Sequence, residues 1–389
     1  MAEGPLPNPN PYVDPQNLAF LQNAGTLLSG RQLTSLSLRD LRTFVTSLEI
    51  PEPEHFQISV SALNVKTTHG DVKTFIYKPK HARHDLPVVY YLHGGAWILG
   101  NAFLYSGFVF DLIKKSDYGI AIVFPQYTLA PEEKFPVQQE QCLDVLQWVV
   151  QHGTSKGLLT DNVVVMADSA GGKSKGSSVH ARRSSLMPEL GQLAAAVSIL
   201  SHQRSLKLPI AHQILFDPLL DSTVLGTRFS EYKFQDGPFY GTSFIQEAIN
   251  DYFPDQDLTN TEQRASITAS PLLMTPQQIK QYMPSTTIVT SQADWLRDQG
   301  QDFARALQTA GVPCGVVQGI AIIHIAEVWN LTRDSPTVEL IMMMVAAKVK
   351  EVFSRPGPAK GSIGTHAASN GESHQARADS VSSKRKRRS

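Results

Sequence analysis

Residues 163–172 read VVVMADSAGG, a run of apolar residues that ends abruptly in a small-x-Ser-x-Gly turn around Ser169. Four consecutive large apolar side chains fit a strand buried on both faces, as in a parallel sheet. The turn after them has the composition of a nucleophile elbow, in which a serine hydroxyl protrudes where a base can reach it. Small neighbours permit the strained backbone and the close strand–helix approach. The first position of that turn is Ala167 rather than Gly, so one methyl crowds it. The Ala170 amide, next after the serine, is expected to face a developing oxyanion.

Similar apolar runs recur on both sides of this one. Residues 56–65 and 72–77 flank the turn signal His69-Gly70-Asp71 and read as a hairpin. Further strands are expected at 88–92, 120–124, 213–216, 287–290 and 315–318, alternating with helix-like stretches. That alternation predicts an α/β fold with a mostly parallel sheet covered on both faces. Residues 12–52 read as amphipathic helices, and 222–270 are aromatic-rich; both are expected to form a helical cap over the sheet's C-terminal edge, where open α/β sheets bind ligands. The expected organisation is cap helices over 1–55, a catalytic domain over 56–355 and a disordered basic tail over 356–389.

The bulk composition excludes several classes. Lys plus Arg equals Asp plus Glu, 35 each, so no global charge draws the chain to nucleic acid or anionic lipid. The basic run Lys384-Arg385-Lys386-Arg387-Arg388 fits a nuclear signal or a solvated end. Cys142 and Cys314 are the two cysteines, too few and too far apart for a disulfide framework or a zinc site. No stretch approaches a membrane span, and the Pro/Asn-rich start lacks the pattern of a signal peptide, so a cytoplasmic protein without metal or cofactor is expected.

A second glycine turn precedes the elbow by about 75 residues. Residues 88–92 lead into His93-Gly94-Gly95-Ala96-Trp97. Acyl transfer needs backbone N–H groups aimed at a carbonyl oxygen as it becomes negative, and glycines let that backbone approach. Gly94, Gly95 and Ala170 are therefore the candidate oxyanion donors, with His93 and Asp168 supporting them. An acid and a base must follow the serine. Asp294 ends the strand near 287–290, which places it on the active-site edge, and Asp298 is the alternative one helical turn on. Beyond Asp294 the histidines are His324, His366 and His374, the last two in the tail, which leaves His324 as the base.

These motifs, with Tyr127 to Glu132, Phe135-Pro136, Asp217 to Asp221, Ala269 to Leu272 and Asp294 to Asp298, resemble the hormone-sensitive-lipase-like branch of the α/β-hydrolases over roughly residues 56–353. The resemblance implies a serine carboxylesterase acting on a small or medium ester through an acyl-enzyme, with Ser169, Asp294 and His324 as its triad. It also implies kinship with fungal esterases that trim acyl groups from secondary metabolites. A non-catalytic receptor of the same fold, as in the plant gibberellin receptors, is the alternative; such receptors lack the triad histidine, whereas His324 is present. The chain departs from the family in two places. Ile325-Ala326 follow the histidine where Gly and an aromatic are usual. Residues 173–192 are polar and aperiodic, where the family pattern has a single residue between elbow and helix. They read as a regulatory loop or as a translated intron that inactivates the protein.

Overall fold

The structure is a computed structural model and describes residues 13–49, 57–169, 192–223, 225–254 and 262–355. Eight strands form one sheet: β1 (Ile58–Thr67), β2 (Gly70–Pro79), β3 (Leu86–Leu92), β4 (Ala121–Gln126), β5 (Leu158–Asp168), β6 (Ile210–Phe216), β7 (Ser285–Ala293) and β8 (Cys314–Ile323). Their order is β1-β2-β4-β3-β5-β6-β7-β8. The opening hairpin pairs antiparallel, β2 joins β4 antiparallel, and every later pairing is parallel. All eight strands expected from the apolar runs are present, and the α/β-hydrolase fold class holds.

Among the described residues, ten α-helices accompany the sheet. Those at the N-terminus are α1 (Pro15–Leu28) and α2 (Leu38–Ser47), followed by α3 (Ser106–Lys115), α4 (Val137–His152) and α5 (Gln192–Gln203). Then come α6 (Phe229–Lys233), α7 (Thr242–Tyr252), α8 (Pro276–Tyr282), α9 (Arg297–Thr309) and α10 (Pro336–Ser354). Because strand side chains alternate in direction, β5 feeds two cores. Val164 and Met166 join one with α3 and α10, while Val163, Val165 and Ala167 join the other with α4, α5 and α9. These β5 residues are at most 3% exposed. Each valine so buried contributes about 1.5–3 kcal/mol. The centre of the sheet is therefore its stiffest part, and the elbow hangs from it.

Two helix caps fix the strand that leads into His324. Asp14 caps α1 through the Asn17 amide at 2.8 Å, and its own amide donates to Ala321 O at 2.8 Å. Asn17 Oδ1 in turn accepts from the Ile323 amide at 3.0 Å. The α10 cap, Ser335, donates to Asp14 Oδ2 at 2.5 Å. The end of β8 is thus bonded to α1 immediately before His324. No helix among the described residues is long and apolar enough to cross a membrane. The tail from 356, the insertion up to residue 191 and the expected Ala170 donor lie outside the described residues.

Candidate active site

Parallel strands deliver their C-terminal ends to one edge, and the functional side chains arrive there one strand at a time. Ser169 follows β5 directly. Its backbone has φ of +41°, a left-handed value that a serine adopts at a cost of roughly 1–2 kcal/mol. The core clamps it there: the Ser169 amide donates to Phe216 O on β6 at 2.9 Å. The Ser169 hydroxyl is hydrogen-bonded to His324 Nε2.

His324 Nδ1 lies 3.0 Å from Asp294 Oδ1, off the line of a straight N–H···O bond. The Tyr240 hydroxyl donates to the same oxygen at 2.8 Å, and its ring meets the imidazole edge-to-face at 4.7 Å. Tyr240 fixes both acid and base yet precedes them by more than fifty residues, and the only sequence signal for it was the aromatic richness of 222–270. The rival acid, Asp298, is engaged elsewhere. It accepts from the Ser230 amide and from Arg297 Nε, each at 2.8 Å. The structure brings Asp294, and not Asp298, to His324.

The loop after β3 is built around Asp168. Its carboxylate accepts from the Tyr91 hydroxyl at 2.6 Å, the Gly94 amide at 2.9 Å and the Tyr105 hydroxyl at 2.8 Å. Burial pushes the Asp168 carboxyl up, and these three donors pull it back toward the ionised form. A side chain on Gly94 would place its Cβ 2.4 Å from Asp168 Oδ2, so only glycine lets the loop close on the acid. This corrects the expectation for Gly94. Its N–H already has a carboxylate partner and is not free to hold an oxyanion. The Gly95 and Ala96 amides, by contrast, have no acceptor among the described residues. Both sit at positive φ, +102° and +56°, and Gly95 lines the chamber beside Ser169.

His93 supports this loop without joining the chemistry. Its ring stacks on Tyr127 at 4.3 Å and Phe124 at 5.2 Å, and Nδ1–H donates to Gly94 O at 2.7 Å. Burial lowers its pKa to about 4, so it stays neutral. The Tyr127 hydroxyl closes the arrangement by donating to His93 O at 2.7 Å.

Two more buried acids stand behind the relay. Asp217 follows β6 and accepts from Ser291 N at 2.6 Å, Ser291 Oγ at 2.7 Å and Ile325 N at 2.7 Å. Glu327 is 2% exposed, and neither carboxyl oxygen has a partner among the described residues. Burial, with Asp168 and Asp294 nearby, raises its pKa to about 7. The native state therefore holds a proton between the ordinary carboxyl value and about 7 where the unfolded chain does not. Stability should fall by about 3 kcal/mol as pH rises through that window. Glu327→Gln removes the ionisation, so thermal melts should show it several degrees above the parent at pH 8 and level with it at pH 5. Parallel melting curves at both pH values would exclude this account.

Asp217, Asp294 and His324 bring their donor atoms within 4.8 Å of one another, a spacing a metal ion could use. Those atoms already hold Ser291, Ile325, Tyr240 and Ser169, which makes the group a hydrogen-bond relay. Beside Ser169 lies a small apolar chamber of about 50 Å³ lined by Leu41, Val45, Leu99, Phe239 and Phe244. A wider, more polar mouth of about 620 Å³ borders it and shares Leu33, Phe239, Tyr240 and Phe244.

Comparison with known proteins places the chain in a family. A family model described as alpha/beta hydrolase fold matches residues 89–186 and 191–327, well over half of the chain. An esterase of Gibberella moniliformis (strain M3125 / FGSC 7600) is 29% identical over 308 residues, 79% of this chain and 87% of its own. The crystal structure of a thermostable esterase from Pseudomonas putida ECU1011 superposes with a TM-score of 0.75 at 26% identity, covering 88% of this chain and 98% of its own. That of carboxyl esterase 2 from the mycorrhizal fungus Tuber melanosporum gives 0.70 at 27% identity, covering 87% and 99%. The parallel sheet, the loops at its C-terminal edge and these relatives lead to one conclusion: the chain belongs to the alpha/beta hydrolase fold family, among its esterases.

Proposed function

We propose that the protein is a serine carboxylesterase, and the observation that carries this is the Ser169–His324–Asp294 relay beside a small apolar chamber. Ser169 Oγ attacks the ester carbonyl carbon while His324 Nε2 takes its proton. The carbonyl oxygen, now negative, is held by the Gly95 and Ala96 amides, each such donor stabilising the transition state by roughly 2.7–4 kcal/mol. Collapse breaks the C–O bond of the ester, and His324 returns the proton to the departing alkoxide. Water then adds to the acyl-Ser169 ester by the same route, releasing acid and regenerating the hydroxyl. Asp294 keeps the Nδ1 proton in place throughout and stabilises the imidazolium.

Labelling with a fluorophosphonate probe tests this reading. Probe attached to Ser169, and lost in Ser169→Ala, supports it; an unlabelled folded protein overturns it. The chamber also suggests how the substrate divides. Its 50 Å³ suits a short acyl group, and the polar mouth suits the alcohol half of a small or medium organic ester, such as an acylated secondary metabolite. A methylene that the pocket cannot accept costs about 10–200-fold in kcat/KM. Para-nitrophenyl acetate should therefore exceed the octanoate by at least 10-fold, and Phe244→Ala should narrow that gap. Equal rates on both esters would show that the acyl chain does not occupy this chamber.

A further inference from the structure

The buried acid after β6 is not explained by the three-residue relay. Asp217 and Asp294 end neighbouring parallel strands, joined by the Asp217 amide donating to Val289 O at 2.8 Å. Both carboxyls therefore reach the same side of the His324 ring. Nδ1 stands 3.0 Å from Asp294 Oδ1 and 3.8 Å from Asp217 Oδ2, with its N–H not aligned on the nearer oxygen. Among the described residues, His324 is the only basic side chain within 4 Å of Asp217. Asp217 is 1% exposed and sits at φ of +41°, a left-handed conformation that aspartate tolerates better than most residues.

We infer that Asp217 is a second acid for His324, a positioning residue that shares the Nδ1 proton contact with Asp294 and can take it over. The inference rests on the esterase reading for its kinetic test but not for its spectroscopic one. A purely structural role accounts for part of what is seen, since Ser291 and Ile325 donate to the carboxylate and so hold the loop that carries His324. It does not account for a carboxylate where other carboxyls already crowd the site. Burial, then the charges of Asp294 and Glu327, push Asp217 toward its protonated form, while the Ser291 and Ile325 donors oppose them. The Tyr240 hydroxyl, bonded to Asp294, is the other titratable group facing this cluster. With Asp294 ionised, Asp217 is thus held back by its neighbour. Removing the Asp294 charge removes that repulsion, and Asp217 ionises more readily just when His324 needs a partner. A shift of less than 1 Å in the ring would close the remaining distance.

The full chain carrying Asp294→Ala provides the test. Where a triad acid acts alone, its removal lowers kcat about 3 × 10⁴-fold in the subtilisin precedent. Here a loss of only about 10–100-fold is expected on para-nitrophenyl acetate, and a loss near the full value overturns the proposal. Adding Asp217→Asn should lower the Asp294→Ala variant at least a further 100-fold, yet the parent by less than about 10-fold. Equal factors in the two backgrounds would mark Asp217 as a structural acceptor only, because independent effects add. The Nδ1 proton resonance of His324 in Asp294→Ala needs neither turnover nor a second substitution. A downfield, exchange-protected signal means that Asp217 accepts the proton; a fast-exchanging one overturns the inference. An inactive parent would defeat the esterase reading, and the resonance would still decide the place of Asp217.

Discussion

Ser169→Ala and His324→Ala are each expected to lower kcat on a short aryl ester by about 10⁶, and the double variant to lose no more than either alone. The hydroxyl and the imidazole act as one unit. Without the base, the serine is a weak nucleophile; without the serine, the base has no proton to move. What survives is the catalysis supplied by binding and by the oxyanion donors, on the order of 10³–10⁴ over water. The backbone should tolerate Ser169→Ala, because alanine meets the same strain at φ of +41° that serine does, and the Phe216 bond is made by the amide. His324→Ala removes a ring that packs edge-to-face on Tyr240 at 4.7 Å, so its melt should fall modestly. Steady-state kinetics beside thermal melts give the answer. Near-parental turnover by a folded Ser169→Ala protein would place the nucleophile elsewhere.

How far the sequence revealed this site depended on the range of the interactions involved. The strands were legible because burial on both faces leaves a continuous apolar signature, and β5 with its serine turn is the plainest case. The positions of Asp294 and His324 followed from strand ends and chain order, which are local features. The role of Gly94 was not legible, because its amide is taken by a carboxylate 74 residues away. Only the folded loop shows that, among the described residues, the Gly95 and Ala96 amides are the ones left without an acceptor. Asp217 stood inside a recognisable motif, but its place beside His324 depends on two strands lying next to each other. Tyr240 and Glu327 carried no spacing signal at all. One reaches the site from the segment before α7, and the other is a lone acid just after the base.

Asp168→Ala should damage both the fold and the chemistry, more than its position beside the nucleophile alone would suggest. The side chain joins three buried donors, Tyr91 on β3, Gly94 in the loop and Tyr105 before α3, of which the Gly94 amide also faces the Tyr105 hydroxyl. All three residues with hydroxyl or acid groups here are at most 2% exposed, so the orphaned donors have no ready access to bulk water. Each buried donor left unsatisfied costs about 1–3 kcal/mol. Three together would cost about 3–9 kcal/mol, more than half of the 5–15 kcal/mol that typically separates folded from unfolded states. The melting temperature should fall by roughly 10–20 °C, at about 2–4 °C per kcal/mol for a domain of moderate size. Activity at a temperature where the variant is still folded should drop further, by about 10²–10³, because the loop no longer aims the Gly95 and Ala96 amides. Asp168→Asn separates the two effects. Its amide oxygen can still accept from Gly94 and Tyr91, while its NH₂ can donate to a Tyr105 hydroxyl that rotates to accept. That variant should recover most of the lost melting temperature and a large part of the rate. If Asp168→Ala melts with the parent, the carboxylate is not what holds the loop, and the account of the oxyanion donors falls with it.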